Sequence, residues 1–418
     1  RQATSYTFVA AGVASLLLAA YSLVLPHTPP KPPQEGGESL AWLEAVKLLR
    51  VPFVLVLFIV INSRGTSATN VLRVSLQQVL MIALPYFVVS RSFASARRMS
   101  GPLLALVFAA AVIGTIATFE STRGWLLYAE MNVGQDLGHL SSYAKQRGGF
   151  LRAQATFLEP TSLSVFLGLA LVILFALRRE VTSRSVRWSL YALIGAGLFF
   201  SFARVGYLVL LVGIAAVLLF ERRYAIAAAL IAAVPLLWGA VQLVGRASPT
   251  AAGMLGMSED ASATVDYRRL LSERMVEVIR NHPWTGVDGF QVPLLLEDLR
   301  QGEGIIDLVN APLAIAMQSG VVGLLIFLLP TLVAARSLLS ERKRLEPEWH
   351  SAASALFAGL VALNAGLITT SLGARNLLWL MLFLGGSAGL LARRMVERAS
   401  GTGVPLPPAG EPARVVAR

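Results

Sequence analysis

RASPTAAGMLGMSEDASATVDYRRLLSERMVEVIRNHPWTGVDGFQVPLLLEDLRQGEGIIDLVNAP, residues 246–312, is a polar interruption between apolar segments long enough to cross a bilayer. It is too long for a turn and too rich in structural signals for a linker. Residues 267–280 read as an amphipathic helix, with Leu270, Leu271, Met275, Val278 and Ile279 on one side and Arg268, Arg269, Glu273, Arg274 and Glu277 elsewhere. Pro283 and Gly286 end that helix, and a second short helix is expected over 294–299. The stretch is predicted to fold as a cap over a site at a membrane surface.

The rest of the chain fits that frame. Of 418 residues, 55% are hydrophobic and only 14% charged, about half the charged fraction of a soluble domain. This composition excludes a soluble enzyme with a small anchor. The formal net charge of +12 is read as basic loops facing anionic lipid, with no nucleic-acid partner. With no cysteine there are no disulfides and no thiolate metal site. No HExxH, DxD or other ligand cluster appears, no P-loop or GxGxxG occurs, and His27, His139, His282 and His350 are scattered. No metal and no cofactor are expected.

Apolar runs place spans near 7–25, 47–63, 73–90, 101–119, 159–177, 187–203, 205–221, 224–244, 309–335, 349–372 and 376–393. The second and third are interrupted, the third by Gln77 and Gln78. No cleavable signal peptide is read over 7–25. Compact basic loops follow alternate spans, at Arg91, Arg97 and Arg98, then Arg178 and Arg179, Arg222 and Arg223, Arg342 to Arg344, and Arg393 and Arg394. By the positive-inside rule these are cytoplasmic, which leaves 120–158, Arg204, 245–308 and Arg375 outside. An odd number of spans would put the N-terminus outside. One further helix before Arg1, or one misjudged span, restores an even number. The predicted architecture is an all-α polytopic membrane protein, GT-C-like, of about 11–12 transmembrane helices. Residues 1–244 hold helices 1–8 with an external loop near 120–158. Residues 245–308 form one large periplasmic loop containing short helices, 309–395 hold helices 9–11, and 396–418 are a tail of disordered composition. Gly385 and Gly389 form a GxxxG, read as close helix packing, with dimerisation as the alternative.

Three external pieces carry ionisable side chains. They are 119–160, SFAR at 201–204, and the large loop. Together they supply Arg147, Arg152, Arg204, Arg268, Arg269 and Arg274, with Glu120, Glu159, Glu297, Asp298, Glu303 and Asp307 as acidic partners. Arg204 stands between two apolar runs joined by almost no loop, so its guanidinium sits at the membrane edge. Ionisable groups there are costly and mark function; the competing reading is an arginine snorkelling to headgroups. Guanidinium stays charged and grips phosphate oxygens in a bidentate way, which suits a lipid-linked diphosphate. Arg274 reads more simply as half of a helix-face ion pair. Gly148 and Gly149 are too short a signal for phosphate binding. Trp125, Tyr128 and Trp284 read as interfacial anchors before sugar-stacking platforms.

SFAR at a helix–helix tip, then Tyr267, Arg268, Pro283, Trp284 and Gly286 as YR-x14-P-W-x-G, then Val309, Asn310, Gly320, Gly323, Leu324 and Leu325 as VN-x9-G-x2-GLL, resemble the bacterial O-antigen ligase and O-antigen or exopolysaccharide polymerase superfamily. FESTRGWLLY, RGGFLRAQATFLEP and RQGEGIIDLVN are closer to its exopolysaccharide-polymerase-like branch. The resemblance covers roughly residues 90–395. It implies a metal-independent glycosyltransferase of the inner membrane, with a periplasmic site and a glycan carried on undecaprenyl diphosphate as substrate. A chain-length regulator and export machinery are its expected partners. It makes Arg204 and Arg268 diphosphate ligands; Arg269 and Arg152, from the same external pieces, are further candidate ligands. Ligases carry a histidine where this chain has Val309, so Asp307 becomes the candidate base and Glu159 the second. Asp307 also reads as an N-cap for the ninth span. Asn310 and Glu297 complete the candidate loop residues. The polymerase reading leads; a ligase, or a lipid-linked oligosaccharide flippase of another class, are the alternatives.

Overall fold

In the computed structural model the described residues are 54–55, 57–59, 67–95, 100–128, 145–157, 159–248, 252–253, 259–300 and 306–399. The elements run α1 (Ala68–Gln78), a π-helical turn (Val79–Ala83), α2 (Leu84–Ser95), α3 (Ser100–Arg123), β1 (Gln146–Arg147), β2 (Phe150–Leu151), α4 (Pro160–Ala176), α5 (Arg184–Phe200), α6 (Arg204–Phe220), α7 (Tyr224–Ala247), α8 (Glu259–Asn281), α9 (Val292–Leu295), a 3-10 turn (Glu297–Leu299), α10 (Ala311–Glu341), α11 (Pro347–Leu367) and α12 (Ala374–Ala399). The chain is an all-α polytopic membrane protein. Six of these helical stretches are long and apolar enough to span a bilayer, and α4 and α6 are shorter apolar helices.

The helices fall where the apolar runs predict them, with differences that have local causes. The interrupted run around Gln77 and Gln78 is bridged by the π-helical turn, so Ala68–Phe93 forms one candidate span. The run at 7–25 lies outside the described residues, and that at 47–63 is described only at 54–55 and 57–59, which are helical. Of the tail expected at 396–418, the first residues, up to Ala399, continue helix α12, and the rest lies outside the described residues, as do Glu303 and His139.

Helix α4 is the hub. It is apolar on every side and almost wholly buried, as expected of a helix surrounded by others. Glycines set how closely its neighbours approach. A β-carbon on Gly168 would sit 2.6 Å from the carbonyl oxygen of Gly206, and one on Gly206 would sit 2.6 Å from that of Ser164. The α4 and α6 backbones therefore touch beside Arg204. Gly385 meets the Tyr86 carbonyl in the same way, at 2.6 Å, so the GxxxG of α12 packs inside the chain against α2.

The two ends of the bundle hold separate charges. Helix α6 starts at Arg204 and ends at Phe220, about 25 Å apart at 1.5 Å per residue. At its far end Arg178 pairs with Glu221 at 2.7 Å, and Arg342 donates to the Leu219 carbonyl. At its near end lie the hairpin β1–β2, the 201–204 turn and α8.

The large loop folds as predicted in outline. Helix α8 is longer than the 267–280 reading. It presses Leu271 and Met275, both 0% exposed, into a small second core with Val287, Val292, Leu296, Leu299 and Met317. Leu270 faces solvent, contrary to its assignment to the apolar side. The short helix expected at 294–299 is divided into α9 and the 3-10 turn, because the Leu296 amide closes back on Val292 while Leu299 starts a tighter bond to Leu296.

Candidate active site

The near end of the bundle encloses a cavity of about 310 Å³, lined by Arg147, Arg152, Thr161, Ala203, Arg204, Val205, Leu208, Val265, Arg268 and Thr369. Residues distant in sequence reach it through three local devices.

The first device is the hairpin. Gly148 (φ 58°) and Gly149 (φ 81°) both occupy the left-handed region, which a two-residue type I′ turn requires. The pair that reads as too short for phosphate binding is a turn, and it closes the strands so that Arg147 lies across from Phe150.

The second device is the cap on α5. The last carbonyls of a helix lack internal partners and carry its negative end. Here the Ala153 amide donates to Phe200 O at 3.0 Å. Arg152 Nε donates to Ser201 O at 3.2 Å, and Arg147 donates to Phe202 O at 2.6 Å. The SFAR turn is held from outside by arginines, with Phe202 in a positive φ of 46° that few non-glycine residues adopt. One donor of each guanidinium, out of five, is used in this way.

The third device is Glu120, at the end of α3. It is 0% exposed, and its carboxylate accepts from the amides of Ala155 (2.7 Å), Gln154 (3.0 Å) and Leu127 (3.1 Å). Ser121 adds a bond to Leu151 O at 2.7 Å. Glu120 was expected as an acidic partner of the arginines; it holds backbone amides instead, because the segment leading to α4 leaves those amides without helical acceptors.

The electrostatics are those of crowded like charges. Burial, then the charges of Arg204 and Arg268, lowers the pKa of Arg147. Burial, then Arg147, brings Arg152 down to about 10, with Glu159 opposing and Arg268 adding to the shift. Four guanidinium groups thus share one small space, beside the N-termini of α4 and α6, whose first turns include Thr161 and Arg204.

Asp307 lies near this group. It reaches solvent, and the protein crowding the rest of its carboxylate, then the charge of Glu159, raises its pKa, against Lys145 and Arg268. It does not cap α10. That role falls to Asn310, whose side chain accepts from the Leu313 amide at 3.1 Å. Glu159 precedes α4 and bonds Ser162 at 3.1 Å.

The structure therefore brings together Arg152, Arg204 and Arg268, with Asp307 and Glu159 within electrostatic reach. It leaves Arg269 and Glu297 out. Arg269 is 79% exposed and pairs with Glu273 at 3.0 Å, because it stands one residue round α8 from Arg268. Glu297 is exposed on the 3-10 turn. Arg274 pairs with Glu277 and Asp298, fastening α8 to that turn. Arg147 lines the cavity although the sequence reading does not single it out as a ligand, and the charge of Lys145 acts on Asp307. The glycine pair following Arg147 is the signal that could have found it.

This is a multi-pass membrane protein with an arginine-lined cavity at one end of its bundle. Over residues 189–328 it is similar to the family described as O-Antigen ligase, which supports its place in the O-antigen ligase and polymerase superfamily. The match takes in Arg204, Arg268, Asp307, Asn310, Gly286 and Gly320, while the hairpin arginines lie upstream of it. Residues 2–120 are similar to a second family, described as Nucleoside H+ symporter, and none of the cavity-lining residues falls in that stretch. No curated protein matches the chain.

Proposed function

We propose that the protein is a glycosyltransferase that polymerises oligosaccharide repeat units carried on undecaprenyl diphosphate, at the periplasmic face of the bacterial inner membrane. The observation that supports this best is the set of four arginines, Arg147, Arg152, Arg204 and Arg268, around one cavity beside Asp307. In this reading the arginines hold the diphosphate while the isoprenoid stays in lipid. The acceptor hydroxyl oxygen attacks the anomeric carbon, the bond from that carbon to the phosphate oxygen breaks, and undecaprenyl diphosphate leaves with the electron pair. Asp307 takes the hydroxyl proton, with Glu159 close enough to tune it. The arginines stabilise the charge that grows on the leaving diphosphate, and no metal is needed for that. The 245–308 loop then caps the site from the periplasm. A chain-length regulator and export machinery are partners of that reading.

The family description favours a second reading, a ligase that transfers the glycan to lipid A–core. Val309 stands where the ligases carry histidine, which favours the polymerase. Purified protein given lipid-linked donor and either a second donor molecule or lipid A–core separates the two by product. A polymer ladder from donor alone supports the polymerase. Transfer to lipid A–core without a ladder supports the ligase, and no glycan transfer to either acceptor sinks both.

A further inference from the structure

Helix α10 is broken inside its span. Gly320 has φ 71°, a conformation outside the helix, and a break there would leave backbone groups without partners in an apolar setting. The loop supplies them. The Val321 amide donates to Pro283 O at 2.8 Å, and Met317 O accepts from the Val287 amide at 2.8 Å. The turn containing Trp284 and Gly286 is thus built into the break.

The level of the break follows from counting. Arg336 is the first charge after the apolar run of α10, and 20 residues, about 30 Å of helix, fill the hydrocarbon layer. That layer then begins near Ala316, and Gly320 lies roughly 6 Å inside it. The large apolar side chains of this turn are uncovered, and its polar ones are Thr285, Asp288 and Gln291. Trp284 is 71%, Leu294 67% and Phe290 54% exposed, and the surface runs on into the exposed α10 stripe of Val322, Leu325 and Leu329. Several backbone amides here are satisfied within the segment or by α10. Gly286 bonds to His282, Gln291 to Asp288, Leu294 and Leu295 to Gln291, and Leu296 to Val292. A segment that turns large apolar side chains outward and bonds these amides inward suits the shallow edge of the hydrocarbon layer. On its other flank Asp298, paired with Arg274, marks the aqueous side.

We propose that residues 283–295 are a re-entrant segment of the membrane, with lipid acyl chains as the partner of Trp284, Phe290 and Leu294. The cap is therefore partly immersed in the leaflet from which a lipid-borne substrate would enter. This inference rests on the α10 span and on the loop's contacts with it, and it stands or falls apart from the glycosyltransferase reading.

The chain has no cysteine, so single substitutions Trp284→Cys, Phe290→Cys and Leu294→Cys each carry one spin label, with Arg269→Cys as the water-facing reference. The variants are reconstituted in phosphatidylglycerol and phosphatidylethanolamine liposomes, and collision with oxygen is compared with collision with a water-soluble nickel chelate. Oxygen prevails at 284, 290 and 294, and the chelate prevails at 269, if the segment is immersed. Chelate-dominated signals at 284 and 294 overturn the proposal. Labels shielded from both reagents place protein on this surface and overturn the lipid assignment as well. Three positions keep the outcome independent of the folding of any one variant.

Discussion

Gly286 and Gly320 meet backbone to backbone: a β-carbon on Gly286 would sit 2.6 Å from the Gly320 nitrogen, and one on Gly320 would overlap the main chain of Trp284. Two glycines 34 positions apart in the numbering thus form one joint between cap and span. Both have φ near +70°, so a side chain at either position is strained as well as obstructed.

Gly286→Ala and Gly320→Ala are each expected to cost about 1–3 kcal/mol, from backbone strain and overlap. The double variant costs less than the sum, since either one already opens the joint. Thermal unfolding in detergent measures this, with protease cleavage in 283–300 as the local readout. Full additivity would show that the two glycines act separately.

Arg204→Ala and Arg268→Ala are expected to lower polymer formation by about 10²–10³-fold, the usual loss when one donor to a developing negative charge is removed. Membrane levels of the protein stay unchanged. Arg269→Ala, on the exposed side of α8 with Glu273, leaves formation near the parental level. Equal losses in Arg268→Ala and Arg269→Ala would refute the placement of the site.

Asp307 gives opposite signs for rate and stability. Its folded pKa is raised, so the fold favours the protonated form, and ionisation costs stability as pH rises through that pKa. At neutral pH Asp307→Asn removes the cost and is expected to raise the unfolding temperature. The same change removes the base and lowers kcat more than it changes KM. In the parent, kcat falls as pH drops through the raised pKa, and Asp307→Asn loses that limb. A pH profile shared by parent and variant would exclude Asp307 as the base.

Glu120→Ala leaves three amides without their acceptor, at about 1–3 kcal/mol each where water cannot reach. The hairpin arginines lose their footing, so KM for the lipid-linked donor rises together with the loss of stability. Glu120→Gln keeps an acceptor oxygen and recovers part of both. Unchanged donor KM in Glu120→Ala would show that α3 does not position Arg147 and Arg152.

Much of this was legible in single residues. Arg204 stood out because charge between two apolar runs is costly, and Arg268 stood out by its place ahead of the Pro-x-x-Gly turn. Glu120 reads from the sequence as a partner for arginine, because a carboxylate next to basic sequence looks like half of an ion pair. Only the folded segment at 154–155 shows that its ligands are amides. Asp307 and Asn310 were both candidates near one helix start. The helix starts at Ala311, four residues beyond Asp307, so the cap position falls to Asn310.

Composition and the length of apolar runs, both local properties, determined that this is an all-helical membrane protein with a polar cap after its eighth run. The cavity was decided only by tertiary structure. Its arginines come from a hairpin, a helix tip and a loop helix, and nothing in their spacing says that the hairpin closes over the carbonyls of α5 or that α8 sets Arg268, itself exposed, on the cavity and Arg269 away from it. Those are contacts between distant segments, set by glycine-permitted backbone approaches and by which unsatisfied amides and carbonyls find each other on folding.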